Sequence, residues 1–122
     1  MSTKPVILVV DDDAPTLVLM RVLLREFGFE PVAVATGQQA VEEVRRQMPS
    51  LILLDKNMPG MSGSDVIQSL RAEGIDSTPV LILSGEPVDA DELERFGARG
   101  AILKPFDVPK LVAMLRDVVG GR

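Results

Sequence analysis

The chain has 122 residues, enough for one domain with its own core and too few for two. Its 46% apolar and 25% charged residues are ordinary for a soluble globular protein, no apolar run approaches the roughly 20 residues of a membrane span, and the Met-Ser-Thr-Lys-Pro start lacks the apolar stretch of a secretory signal, so a cytoplasmic setting is expected. With no Cys there are no disulfides or thiolate sites, with no His the commonest general base and transition-metal ligand are missing, and a net charge of −5 with scattered basic residues and only Phe as aromatic speaks against nucleic-acid binding.

The predicted elements alternate along the chain. Residues 6–10 (VILVV) read as a strand, and their unbroken apolar character suggests cover on both faces, as in a parallel sheet. A helix is predicted over 14–27, capped by Asp13, with Pro15 in its first turn and Gly28 as its stop. A short strand at 32–34 (VAV) leads to a helix over 37–48, which starts from a Thr36–Gln39 capping box and ends before Pro49. Strand 51–54 (LILL) precedes a helix over 63–73 between Ser62 and Gly74. Strand 80–83 (VLIL) precedes a short acidic helix over 90–96, from Asp89 to Gly97. Strand 101–103 (AIL) precedes a final helix over 108–119, with Asp107 as cap, Pro109 in the first turn and Gly120 as the stop. Five βα units joined by right-handed crossovers predict a doubly wound, five-stranded parallel sheet in a three-layer sandwich, flavodoxin-like if the strand order is 2-1-3-4-5.

In such sheets, sites form beyond the carboxyl ends of the strands, where the winding reverses. Asp11, Asp12 and Asp13 follow the first strand, Asp55, Lys56 and Asn57 the third, Ser84 and Gly85 the fourth, and Lys104 and Pro105 the fifth. The predicted order sets Asp55 beside the Asp11–Asp12 pair. Clustered carboxylates are costly unless a cation neutralises them, and oxygen donors without His or Cys favour a hard ion, Mg²⁺ or Mn²⁺. A phosphoryl group fits beside such an ion, with Lys104 and the Ser84 hydroxyl on its remaining oxygens and Asp55 as nucleophile. Asp13 is expected to be only a helix cap, Asn57-Met58-Pro59-Gly60 a turn, Met58 and Met61 packing residues, and Lys56 a solvent-facing side chain.

These motifs in this order, 8-LVVDDD-13, 54-LDKNMPGMSG-63, 82-ILSG-85 and 97-GARGAILKPF-106, resemble the receiver domain of two-component response regulators over roughly residues 5–119. The resemblance implies that Asp55 accepts phosphate from the phosphohistidine of a sensor histidine kinase or phosphotransfer protein. It implies Mg²⁺ held by Asp12, Asp55 and the Asn57 carbonyl directly and by Asp11 through water, a switching hydroxyl on Ser84, phosphoryl pairing by Lys104, and a cis Lys104–Pro105 bond. The expected domain is a single receiver over 1–122 with no output domain, acting on a separate downstream protein without nucleic-acid or membrane contact.

Two features depart from the family pattern. Ala101 stands where the family usually has an aromatic residue whose rotamer carries the signal, so the usual output route is expected to be weakened or rebuilt. The segment 86-EPVDADELERFG-97 is short, and Glu86 and the Asn57 side chain are candidates to position a hydrolytic water, which would shorten the phosphoryl lifetime. In 17-LVLMRVLL-24 only Arg21 interrupts the apolar run, more than one buried stripe requires; either its outer side docks a kinase or a second copy of the chain, or the last helix covers it. The competing readings are an aspartyl-phosphate phosphatase, disfavoured by Asn57 where a general acid Asp would stand, a phosphate-independent adaptor, and a flavin carrier, disfavoured by the absence of Trp and Tyr.

Overall fold

A computed structural model describes residues 4–58, 60–75 and 77–120. Five strands alternate with five helices: β1 (Val6–Val10), α1 (Ala14–Glu26), β2 (Glu30–Val34), α2 (Gly37–Arg46), β3 (Leu51–Asp55), α3 (Gly63–Ala72), β4 (Val80–Ser84), α4 (Ala90–Phe96), β5 (Gly100–Leu103) and α5 (Val108–Val119). All strand pairs are parallel and the order is β2-β1-β3-β4-β5, as the sequence predicts.

The alternation of side chains across the sheet splits the core in two. Ile7, Val9, Leu51, Leu53, Leu81 and Leu83 point to one face and pack against Leu17, Met20 and Leu24 of α1 and Leu111 and Leu115 of α5. Leu8, Val10, Ile52, Leu54, Val80 and Ile82 point to the other, under α2 and α3. The three central strands therefore have no polar face, which is why they read as continuous apolar runs rather than alternating ones.

The helix caps act where the sequence puts them. The Asp13, Thr36, Ser62, Asp89 and Asp107 side chains each accept a backbone N–H three residues on. The box at α3 is closed by Asp65, which accepts the Ser62 N–H. At α2, Gln39 reaches the Ala35 N–H instead of that of Thr36.

The differences lie at element ends. β2 starts two residues earlier than predicted and includes Pro31, because β2 is an edge strand. The Glu30 N–H bonds to the Pro5 carbonyl, which turns the position lacking an N–H towards the open edge. α2 ends at Arg46, since Gln47 is already extended ahead of Pro49. The predicted turn after β3 includes Pro59, which lies outside the described residues, while Gly60 takes a φ of 80°.

Candidate functional site

The polar residues gather at the carboxyl end of the sheet because β1 and β3 are neighbours and each strand ends as its apolar run ends. Register pairs Val10 with Leu54, so Asp11 and Asp55 leave adjacent strands side by side. Carboxylate oxygens of Asp11, Asp12 and Asp55 all lie within 4.8 Å of one another. Asp11 is fully buried, Asp55 is 8% exposed and Asp12 is open to solvent. Lys104, delivered by β5 from across the sheet, places Nζ 2.8 Å from Asp11 Oδ2 and 3.8 Å from Asp55 Oδ1. The other Asp11 oxygen accepts the Asp13 N–H at 3.0 Å. The peptide between Lys104 and Pro105 is cis.

Negative charge exceeds positive at this mouth, and Asp55 carries the consequence. Burial first, and then the Asp11 charge, push the Asp55 carboxyl up to about 6, against the pull of Lys104 and of the Asn57 backbone N–H that it accepts. Burial alone would lower the Lys104 ammonium; its hydrogen bond to Asp11 and the charges of Asp11 and Asp55 outweigh this and raise it. An oxygen-only cluster with two of its three carboxylates buried and one lysine beside them has the donor chemistry of a hard divalent cation.

Gly63 was not singled out in the sequence for the site, yet its geometry matters there. It opens α3 with its N–H 3.3 Å from the Lys56 carbonyl, and a Cβ on it would sit 3.0 Å from the Asp55 carbonyl oxygen. A side chain at this position would press on the backbone of the strand that carries Asp55, which would have to give by a few tenths of an ångström.

The remaining predicted residues fall at the same edge with different partners. Ser84 is buried at the end of β4, and its hydroxyl donates to the Glu86 carbonyl at 2.6 Å while accepting the Glu86 N–H at 3.1 Å. Glu86 itself is exposed, as is Asn57. Asp13 is the α1 cap, with no metal-facing role in the cluster. Met58 is buried in the core under α2 and α3, and Met61 packs at its margin. One expectation is corrected. Lys56 does not face solvent: its ammonium is 2.6 Å from Glu92 Oε2 of α4, with both side chains largely covered.

A match to the response regulator receiver domain family spans residues 7–116. The DNA-binding response regulator MtrA of Mycolicibacterium paratuberculosis is 39% identical over 112 residues, which are 90% of this chain and 49% of that protein. The sensory transduction protein RegX3 of Mycolicibacterium smegmatis is 34% identical over 93% of this chain and 50% of its own length. The chain thus spans about half the length of these relatives. Among solved structures, chemotaxis protein CheY4 of Vibrio cholerae superposes with a TM-score of 0.88 at 28% identity, covering 95% of this chain and 99% of that one. The receiver domain of sensor histidine kinase PA1611 of Pseudomonas aeruginosa, described with a magnesium ion coordinated in its active site cleft, gives 0.86 at 28% identity over 97% and 99%.

The chain belongs to the response regulator receiver domain family. As a receiver domain it is a phosphoacceptor module of two-component signalling.

Proposed function

We propose that Asp55 is the phosphoacceptor, that Asp11, Asp12, Asp55 and the Asn57 carbonyl hold Mg²⁺ or Mn²⁺, and that Ser84 and Lys104 bind the phosphoryl oxygens. The observation that carries this reading is the buried Asp55 carboxylate within 4.8 Å of two further carboxylates and 3.8 Å from the Lys104 ammonium. The donor is the phosphohistidine of a sensor histidine kinase or phosphotransfer protein. Its P–N bond breaks as an Asp55 oxygen forms the new P–O bond, and the electron pair leaves on the imidazole nitrogen. Bound Mg²⁺ supplies neutralisation of the charge gathered on the carboxylates and the phosphoryl oxygens. Lys104 gives up part of its contact with Asp11 to reach the new anion. Ser84 turns its hydroxyl from the Glu86 carbonyl to a phosphoryl oxygen, and that rotation starts the conformational change in the β4–α4 loop.

The magnesium-bearing cleft described for the PA1611 receiver supports the choice of ion. Among the described residues no helix is long and apolar enough to cross a membrane. The name of MtrA, a DNA-binding response regulator, confines the expectation of no nucleic-acid contact to these 122 residues, since half of that relative lies beyond the matched region. Intact-mass measurement after treatment with acetyl phosphate and Mg²⁺ tests the assignment. The wild-type chain gains one phosphoryl group and Asp55→Asn gains none. Equal labelling of the variant would remove Asp55 from its role.

A further inference from the structure

Lys56 follows the proposed phosphoacceptor directly, yet the charges that act on Asp55 are those of Asp11, Lys104 and Asp12. The Lys56 side chain runs the other way. It crosses to the first turn of α4, where Nζ meets Glu92 Oε2 at 2.6 Å, with the two side chains 17% and 21% exposed. Its backbone is anchored on both sides: the Lys56 N–H donates to the Leu83 carbonyl of β4, and the Lys56 carbonyl accepts the N–H of Gly63 at the start of α3. The cation thus extends from a fixed point of the site to a helix that is held weakly. None of the α4 residues is fully buried, and its other end is tied by Arg71 of α3, whose guanidinium donates to the Phe96 carbonyl at 3.4 Å.

The loop between β4 and α4 links this pair to Ser84. Ser84 is bonded to Glu86 through both the carbonyl and the N–H, and Glu86 lies three residues before the α4 cap Asp89. Turning the Ser84 hydroxyl towards a phosphoryl group on Asp55 therefore frees the Glu86 carbonyl and lets the loop shift. A shift of the loop carries the first turn of α4, and Glu92 with it, while Lys56 stays with β3 and β4.

We propose that the Lys56–Glu92 ion pair is a latch that holds α4 in the unphosphorylated arrangement and opposes the Ser84 rotation. Lys56 is then a positioning residue acting through α4. The latch also offers α4 a link to the site that does not pass through position 101, where Ala101 has no ring to move. This inference rests on Asp55 as the phosphoacceptor.

The test is the apparent affinity for beryllofluoride in excess Mg²⁺, followed by amide chemical shifts, with beryllofluoride standing in for the phosphoryl group on Asp55. Lys56→Met and Glu92→Gln should each tighten binding by about 3- to 10-fold, because a ligand that selects the shifted state no longer works against the latch. The double variant should bind no tighter than either single one. The exchange Lys56→Glu with Glu92→Lys should return the affinity towards wild type. Wild-type affinity in both single variants, or effects that add in the double variant, would overturn the latch and leave Asp55 untouched. No response of the wild-type chain to beryllofluoride would overturn the phosphoacceptor reading and the latch with it.

Discussion

At the scale of single residues the site is defined by an imbalance of charge. Asp11 is fully buried with Lys104 as its cationic partner, and Asp55 shares the same ammonium at a longer distance. Removing that cation by Lys104→Met leaves buried negative charge without a partner. The metal-free variant should lose about 1–3 kcal/mol in urea unfolding, and adding Asp11→Asn should recover much of the loss. Asp55 gives the opposite sign. Its folded-state carboxyl is raised to about 6, well above the ordinary range of an aspartate, so the folded state holds its proton more tightly than the unfolded chain does. Stability from this group is full at low pH and declines as pH rises from about 4 to about 6. Asn at this position mimics the neutral form throughout. In metal-free buffer Asp55→Asn should therefore match wild type near pH 4 and exceed it by about 1–2 kcal/mol at pH 7. A wild-type advantage at pH 7 would contradict the charge imbalance. These residues were legible in the sequence because each is a polar group placed directly after an apolar strand. The Lys56–Glu92 contact was not, since nothing local to Lys56 shows that α4 comes within reach of it.

At the scale of elements, α1 carries an apolar face that the fold does not use. Val18, Leu19 and Val22 are 58%, 46% and 60% exposed, whereas Leu17, Met20 and Leu24 fill the core beneath them. The last helix thus leaves these three side chains open, and the apolar run broken only by Arg21 reflects two faces of one helix. The surface lies on the element that follows Asp11–Asp13, within reach of a donor approaching the site. Val18→Glu combined with Val22→Glu should slow phosphotransfer from the cognate kinase by about tenfold or more, the loss expected for a few central apolar contacts. Labelling by acetyl phosphate should stay unchanged, since it needs no docking. Equal slowing with both donors would show that the substitutions damage the site and not a docking face. Helix starts were legible because Asp, Ser and Thr caps act locally; the extent of β2 was not, because tolerance of Pro31 depends on which edge of the sheet is open, a property of the assembled fold.

At the scale of the whole molecule, the sheet order converts separated acidic residues into one binding site. Five βα units with right-handed crossovers define a doubly wound sandwich, which is why the fold class could be read from the pattern of apolar runs, whereas the order of the strands needed the family resemblance. What the pattern could not supply is the depth of each carboxylate, and that depth decides how metal binding couples to folding. A cation that binds the folded cluster and not the unfolded chain raises stability with its concentration, by about 1–3 kcal/mol at ten to a hundred times its dissociation constant. It must compete with the proton on Asp55, whose carboxyl titrates at about 6. At pH 7.5 the carboxylate is already ionised, and added Mg²⁺ should raise the thermal midpoint by about 4 °C for each kcal/mol of stabilisation. At pH 5 most molecules carry the proton, and Mg²⁺ should bind about tenfold more weakly because a proton must be released on binding, which cuts its stabilisation by about 1 kcal/mol at the same concentration. Asp55→Asn should lose most of the response at both pH values. A Mg²⁺ shift of equal size at pH 5 and pH 7.5 would mean that the ion binds somewhere other than the cluster at the end of β1 and β3.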